Sequence, residues 1–456
     1  MMLNPSRAPT PASKVRRSAL IIPNPLRNSL LDRYQDLLAT ITKICGGCPT
    51  LSTQSQKTRL FVMMALQLAI WGAWAPKLFP YMGMMGFSAG QQALVGSCWG
   101  IAAVVGIFFS NQFADRNFAA ERFLSVSHVI GAACLFGAAF ASSFLPFFLC
   151  YLAYSLVYVP TLSVTNTIAF ANLKNGRDFG TVRAGGTVGW IMASWPFIFL
   201  LGANSGVLEV RGIFIVSGFV SLALAAFSLT LPHTPPRKGG DVDSLAWRRA
   251  IGLLAKPYVA VLFAVTFIDS VVHNGYYVMS DAFLTNRVGI AGNLSMVVLS
   301  LGQVAEIVTM LVLGIVLTRL GWRATMIVGI LGHAARFLAF SFLADSVPAI
   351  IAVQLLHGIC YAFFFATVYI FVDEVFPKDV RSSAQGLFNL LILGVGNMVA
   401  SYVFPNLVAA LTRSDGTVDY QTLFLVPTGL ATLGALILAF GFHPPTAAPA
   451  RSPEHA

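Results

Sequence analysis

The sequence consists mostly of apolar segments of about 20 residues or more, separated by short polar stretches. A helix needs about 20 apolar residues to cross the roughly 30 Å hydrocarbon layer of a bilayer. It also satisfies its own backbone hydrogen bonds in lipid. The pattern predicts an all-α polytopic membrane protein with twelve transmembrane helices in two six-helix bundles. The predicted segments are 60–82, 91–113, 123–142, 145–171, 182–202, 212–231, 258–280, 293–317, 324–343, 348–372, 384–411 and 421–442.

The composition excludes an ordinary soluble enzyme. Hydrophobic residues make up 56% of the 456-residue chain and charged residues only 10%, whereas a soluble domain carries about 25% charged residues. An integral membrane enzyme is disfavoured because no nucleophile motif and no His/Cys set at metal-ligand spacing occurs in the sequence. We therefore expect no enzymatic activity, no metal and no cofactor.

Polar stretches divide the chain into five parts. Residues 1–57 form a predicted cytoplasmic tail, mostly disordered, with one possible amphipathic helix, and 58–231 form the first bundle. Residues 232–257 are a predicted cytoplasmic linker, 258–443 the second bundle, and 444–456 a second cytoplasmic tail. Cys45 and Cys48 in the first tail have CxxC spacing, but one such pair without a second is weak evidence for a zinc or redox site.

The positive charges indicate the orientation of the chain. With a cytoplasmic N-terminus, 24 of the 29 Lys and Arg residues fall on the cytoplasmic side. The outer side has Lys77, Arg211, Arg287 and Arg413, and Arg336 lies inside a segment. Since cytoplasmic loops are enriched in Lys and Arg, we expect both termini and the linker to be cytoplasmic.

Charged loops occur at matching places in the two halves. Asp115 and Arg116 follow the second segment, and Arg319 and Arg323 follow the eighth, with Arg116 and Arg319 separated by 203 residues. Together with the six-plus-six arrangement, this repeat resembles the major facilitator superfamily. The resemblance implies two bundles that rock around a central site, with these loops as gates.

Polar residues inside the apolar segments are few, and each costs roughly 2.5–3.5 kcal/mol at the centre of a membrane helix. Arg183, Thr187 and Trp190 lie at i, i+4 and i+7, on one helical face. Gln303 and Glu306 share a face in the eighth segment. The alternatives are a helix-end arginine beside packing glycines and a structural ion pair for Glu306.

The seventh segment carries a polar strip of Asp269, His273, Asn274 and Tyr277. Asp269 and His273, at i and i+4, are either a proton-handling pair or a local pair away from the cavity. The other polar residues in spans are interpreted as hydrogen-bonded packing residues or, for the arginine, as a structural or gating cation: His128, His333, His357 and Arg336.

Several short motifs, in order along most of the chain, resemble the bacterial nucleoside:proton symporter family. They are Leu66-Gln67 with Trp71-Gly72-Ala73-Trp74, Tyr158-Val159-Pro160-Thr161-Leu162 with Asn166-Thr167-Ile168, Arg183 with Gly186-Thr187-Val188-Gly189, Leu231-Pro232-His233, Gln303 with Glu306, and Arg381-Ser382-Ser383-Ala384-Gln385-Gly386. The resemblance implies a multi-pass protein of the bacterial inner (cytoplasmic) membrane.

The resemblance also implies a substrate site. The family lines its nucleoside site with residues that match Arg183, Thr187, Gln303 and Glu306, and Trp190 stands where the family has an aromatic residue. Two amides of the family, at i and i+3, correspond to Asn274 and Tyr277 at the nearest alignment, and a one-residue shift would put His273 there instead. Tyr361 matches an aromatic residue of the tenth segment, but Ala362 replaces the acid that follows it. The proton-coupling candidates are therefore Glu306, Asp269 and His273.

The predicted function is nucleoside import by alternating access, coupled to protons. The alternatives are a nucleoside uniporter, a major facilitator transporter of another solute such as a sugar or a drug, and a membrane sensor that transports nothing. The expected partners are a nucleoside, protons and the lipid bilayer. We expect no nucleic-acid partner and a monomeric chain.

Overall fold

The computed structural model describes residues 53–106, 118–173, 178–236, 251–377 and 381–444. Several predictions lie outside these ranges. They concern nearly all of the tail 1–57 with Cys45 and Cys48, the loop residues Asp115 and Arg116, positions 237–250 of the linker, and nearly all of the tail 444–456.

The described residues are almost entirely helical. The first half contains α1 (Thr53–Trp74), α2 (Leu78–Met84), α3 (Ala89–Val105), α4 (Ala120–Phe140), α5 (Phe144–Asn172), α6 (Phe179–Ser194), α7 (Phe197–Leu200), α8 (Val207–Val210) and α9 (Gly212–Ser228). The second half contains α10 (Pro257–Asn286), α11 (Gly292–Phe342), α12 (Val347–Val353), α13 (Leu356–Cys360), α14 (Thr367–Val375), α15 (Arg381–Asn389), α16 (Gly396–Ala410) and α17 (Tyr420–Gly441).

The helices confirm the membrane class of the chain. Among the described residues, nine helical stretches are long and apolar enough to cross a bilayer, and α3 is a shorter apolar helix. The longest stretch, α11, contains the eighth and ninth predicted segments and has 51 residues. It is interrupted at Gly321, whose φ of 71° lies in the left-handed region that glycine adopts without a steric penalty. The predicted loop between these two segments is therefore a sharp break at one glycine.

Irregular turns interrupt or join the helices, and one of them contains the predicted site residue Tyr361. A 3₁₀ turn at Ala75–Lys77 joins α1 to α2, and a π-helical turn at Tyr361–Ala366 joins α13 to α14. A second π-helical turn, Leu390–Val395, precedes α16. Single π turns occur frequently at functional sites because they redirect side chains without ending the helix.

Glycines bring α6 against α1. A β-carbon on Gly189 would collide with the backbone of Ala65, and one on Gly72 would lie 2.9 Å from the Cα of Trp190. Small residues let membrane helices approach closely, so this contact holds α6 in place. The glycine packing suggested by the sequence is present, and it positions the face that carries Arg183.

A buried ion pair joins the two halves where α1 and α10 end. The Nζ of Lys77 donates to Oδ2 of Asp281 at 3.0 Å and to the Oγ of Ser295 at 2.8 Å. Ser295 in turn donates to the other carboxylate oxygen of Asp281. Lys77 and Asp281 are only 4% and 2% exposed. Lys77 is therefore buried between the halves, whereas its charge alone suggested a water-facing position.

Further hydrogen bonds close the same side of the molecule. The Trp195 indole donates to Ser300, and two groups at the start of α11 donate to carbonyl oxygens that follow α6. These last bonds are Asn293 Nδ2 to Ile198 O at 3.2 Å and Gly292 N to Ala203 O at 3.0 Å. We refer to these bonds and the Lys77–Asp281 pair as the seal.

We expect Asp281→Ala to destabilise the protein by about 3 kcal/mol, because it leaves the Lys77 ammonium buried without its carboxylate. The measurement is thermal unfolding of the purified protein in detergent. The double variant Lys77→Met/Asp281→Leu should recover most of the loss, since both charges are then replaced by apolar groups. A double variant as unstable as Asp281→Ala would contradict a buried pair.

Candidate functional site

The polar face of α6 lies at the boundary between the halves. Arg183 is exposed, Thr187 is half-buried one turn later, and Trp190 is 7% exposed. The Trp190 ring meets Trp71 edge-on at 5.1 Å and the Tyr277 ring of the other half at 6.1 Å. Trp71 stacks on Trp99 at 4.4 Å. The predicted aromatic residue is thus part of a wall of rings that reaches across the interface.

Arg183 faces acidic and phenolic groups of the second half. Its guanidinium is close enough to Glu306, Tyr361 and Tyr369 to interact with them electrostatically. Glu306 is half-buried on α11, and Tyr361 begins the π-helical turn. A cation and a carboxylate attract strongly where water is scarce. Two residues chosen from the sequence, more than 100 positions apart, are therefore brought to one region.

A small cavity of about 10 Å³ lies beside the seal. Its wall includes three predicted site residues, Trp190, Tyr277 and Gln303, together with Pro76, Tyr276, Ser280, Asp281, Met296, Leu299 and Ser300. Beyond the seal lies a larger cavity of about 950 Å³, to which Lys77 and Asp281 also contribute. The seal thus separates the predicted substrate residues from the larger cavity.

Asn274 is engaged in bonds within the second half. Its Nδ2 donates to the carbonyl oxygens of Ser270 at 2.8 Å and Ile392 at 3.1 Å. Its Oδ1 accepts from Asn397 at 3.3 Å. Both polar atoms of this predicted substrate residue therefore have partners within the protein.

Asp269 and His273 meet through a third residue. His333 Nδ1 lies 2.9 Å from Asp269 Oδ1, and His333 Nε2 lies 3.4 Å from His273 Nδ1. Asp269 and His333 have no exposed surface, and Asp269 Oδ2 has no hydrogen-bond partner among the described residues. Asp269 and His273 of α10 therefore do not form the direct pair that their i, i+4 spacing suggested. His333 of α11 lies between them.

Arg336 and His357 connect to Gln303. Arg336 Nη1 donates to His357 Nδ1 at 2.8 Å, and the amide nitrogen of Gln303 lies 3.3 Å from His357 Nε2. The Arg336 guanidinium carbon lies 4.0 Å from the centre of the Tyr276 ring, a cation–π distance. The sequence suggested a structural or gating cation for Arg336. Its connection to Gln303, a predicted substrate residue, through His357 was not predicted, because no spacing rule relates α11 to α13.

Ala362, which stands where the family has an acid, lies in an apolar cluster. It has no exposed surface and packs with Leu313, Phe363 and Ala366. The alanine side chain at this position cannot carry a proton. Of the charged residues, Asp281 lines the small cavity, and Arg183 and Glu306 lie within electrostatic reach of each other.

The predicted gating residues lie among the described residues in only one half. Arg319 and Arg323 are exposed on either side of the break at Gly321, and Asp115 and Arg116 lie outside the described residues. Within the part of the chain that the structure describes, no group of three or more His, Cys, Asp or Glu side chains is arranged to hold a metal.

Comparison with known proteins gives relatives over most of the chain. The family described as Nucleoside H+ symporter matches residues 54–447. The chain is 33% identical over 390 residues to Escherichia coli YegT, a match that covers 84% of this chain and 91% of the relative. It is 30% identical over 410 residues to the xanthosine permease of Escherichia coli, covering 84% and 95% of the two chains.

The solved structures agree with the sequence matches. The crystal structure of the nucleoside transporter NupG superimposes with a TM-score of 0.75 at 25% identity and covers 85% of this chain and 99% of that one. A D-xylose-proton symporter, at 14% identity and a TM-score of 0.65 over 85% and 98% of the chains, shares the fold alone. The fold is that of the major facilitator superfamily, and the chain belongs to the nucleoside H+ symporter family.

Proposed function

We propose that this protein imports nucleosides across the bacterial inner membrane by alternating access, in symport with protons. Family membership supports the reaction, and the relatives named as a xanthosine permease and a nucleoside transporter support the substrate class. We also propose twelve membrane crossings as two six-helix bundles, cytoplasmic termini and a monomer. The observation that carries the proposal is that Arg183 of the first half and Glu306 of the second, both chosen from the sequence, lie within electrostatic reach of each other.

The nucleoside binds between the halves in this proposal. Its base stacks on the aromatic wall at Trp190, because every nucleobase has a π-face. Hydroxyl groups of the ribose can both donate and accept, which suits the carboxylate of Glu306 and the guanidinium of Arg183. The remaining contacts are assigned to Thr187, Tyr277, Gln303 and Tyr361.

Asn274 receives a different role. It would reach a substrate only by releasing one of its bonds to Ser270, Ile392 or Asn397. An unpartnered amide inside a membrane protein is unfavourable. We therefore assign it to holding α10 against α16, which keeps Tyr277 at the cavity.

In this proposal, opening and closing of the seal controls access to the site from outside. With the seal closed, the outer cavity of about 950 Å³ is separated from Gln303 and Trp190. Entry of a nucleoside from outside requires the Lys77–Asp281 pair to separate, since the pair crosses the interface. On the cytoplasmic side, the charged loops of Asp115, Arg116, Arg319 and Arg323 are the corresponding gates.

Glu306 is the proposed proton carrier. A neutral carboxyl is less costly than a carboxylate in a closed, dry cavity. Protonation also removes the attraction between Glu306 and Arg183, which lie in opposite halves. The charge of one residue thereby controls how strongly the halves are held together around the substrate. Asp269 and His273, joined through His333, are the second candidates.

Cells or proteoliposomes containing the protein should accumulate radiolabelled uridine or adenosine, and a protonophore should abolish accumulation. The reason is that uptake against a gradient needs the energy of the proton gradient. Excess free ribose or free nucleobase should compete poorly, because neither fills the whole site. Absence of uptake under all conditions contradicts the substrate, and unchanged accumulation with the protonophore contradicts the coupling.

Glu306→Gln should reduce proton-driven accumulation at least about tenfold while leaving nucleoside exchange in the absence of a gradient largely intact, because the amide keeps the shape but cannot carry a proton. The measurement compares uptake and counterflow in proteoliposomes. Glu374→Gln, on an exposed carboxyl of α14, is the control and should resemble the wild type. Equal loss of both activities would show that Glu306 only binds substrate.

Trp190→Ala should raise the KM for nucleoside uptake about tenfold or more, since stacking of a base on an aromatic ring contributes roughly 1–3 kcal/mol. Trp190→Phe keeps a π-face and should retain most of the affinity. The measurement is the concentration dependence of initial uptake rates. If the alanine and phenylalanine variants behave alike, the base does not stack at this position.

A further inference from the structure

The amide of Gln303 has two orientations that differ in what they offer a ligand. One turns the NH₂ group, a donor, to the cavity, and the other turns the carbonyl oxygen, an acceptor. Side-chain amide orientations must be assigned from the surrounding hydrogen bonds. For Gln303, the orientation follows from the hydrogen bonds of His357 and Arg336.

The assignment begins at Arg336. A guanidinium has only donors, so the 2.8 Å contact from Arg336 Nη1 requires His357 Nδ1 to be an acceptor without a proton. A neutral His357 must then carry its proton on Nε2. The imidazolium form is excluded, because its Nδ1–H would point at an Arg336 N–H.

His357 therefore donates a hydrogen bond from Nε2, and the group opposite this atom must be an acceptor. The atom 3.3 Å away is placed as the amide nitrogen of Gln303, which is also a donor, while the Gln303 oxygen is buried and has no partner. Rotating the amide by 180° removes the donor–donor contact and gives the oxygen a partner. The oxygen then accepts from His357, and the NH₂ group is turned away from it.

The surrounding packing prevents His357 from moving out of this contact. A β-carbon on Gly302 would lie 2.8 Å from the Cβ of His357, so α11 and α13 touch next to Gln303. Arg336 is held by the ring of Tyr276, whose hydroxyl donates to Gln354 at 2.8 Å. His357 and Arg336 are 1% and 0% exposed.

We infer that Arg336, acting through His357, fixes Gln303 with its NH₂ group toward the substrate cavity, so that Gln303 recognises a hydrogen-bond acceptor of the nucleoside. The acceptor is a carbonyl oxygen, an unprotonated ring nitrogen or a ribose oxygen. The inference rests on the proposed function for its substrate. It makes Arg336 and His357 positioning residues for a site that they do not line.

Histidine labelled with ¹⁵N tests the tautomer in the wild-type protein. The chain has 7 histidines, and loss of one signal in His357→Asn assigns His357. We expect a neutral imidazole protonated only on Nε2 at neutral pH. A proton on Nδ1, or an imidazolium, would overturn the inference. This spectrum requires no transport, so it decides the tautomer even if the protein binds no nucleoside and the proposed function fails.

Arg336→Lys and Arg336→Met test whether Arg336 sets the tautomer of His357. Lysine also has only donors and should keep the Nε2–H form of His357, whereas methionine removes the donor and should allow both tautomers. Ser341→Ala, on the same helix, is the control, because its hydroxyl bonds only to carbonyl oxygens of Phe337 and Gln421. If the methionine variant leaves the tautomer unchanged, Arg336 does not set it.

Gln303→Glu and Gln303→Met test the polarity of the amide. His357 would donate to one oxygen of the new carboxylate, which turns its other oxygen, an acceptor, to the substrate. We expect nucleoside binding to weaken at least about tenfold more in Gln303→Glu than in Gln303→Met, since two acceptors then face each other. The measurement is calorimetric titration of the detergent-solubilised protein with uridine and adenosine. Binding by Gln303→Glu as tight as by Gln303→Met would show that the cavity side of Gln303 is not a donor.

Discussion

Polar groups in the lipid-embedded part of this chain are costly unless they are partnered, and this constraint determines how the structure is arranged around its centre. Burying an unpaired charge is far more unfavourable than burying a paired one. Lys77 accordingly pairs with Asp281, and one carboxylate oxygen of Asp269 pairs with His333. Arg336 has His357 and the face of Tyr276. The exposed Arg183 on α6 has the carboxylate of Glu306 within electrostatic reach across the interface.

Some of these pairs lie within one half of the protein and others join the two halves, and we assign them different roles. The Asp269–His333 and Arg336–His357 contacts lie within the second half, so rocking of the halves does not break them. The Lys77–Asp281 pair and the Arg183–Glu306 interaction cross between halves, so in the proposed mechanism each is made or lost as the halves move. A transporter needs both kinds, because a rigid bundle can only rock as a unit if its own polar groups stay satisfied.

Substrate recognition depends on the same network in the proposed picture. Gln303 lines the cavity, but its amide orientation is set by His357 and Arg336, which do not line it. By the sequence resemblance, Ala362 stands where the family has an acid, and this replacement bears on proton handling. That position is enclosed by Leu313 and Phe363, so proton handling is assigned to Glu306, whose charge acts on Arg183 directly.

The sequence by itself determined the class of protein, the positions of the apolar segments and the break near Gly321, because membrane-spanning helices depend on local length and hydrophobicity. It also placed Arg183, Thr187 and Trp190 on one face, since helical periodicity is local. It ended the seventh segment at residue 280, whereas α10 continues to Asn286. Only the tertiary structure brought Lys77 to Asp281, His333 between Asp269 and His273, and Arg336 to Gln303 through His357. These contacts join residues of separate helices, and pairing between helices depends on how they pack, which no spacing within one helix encodes.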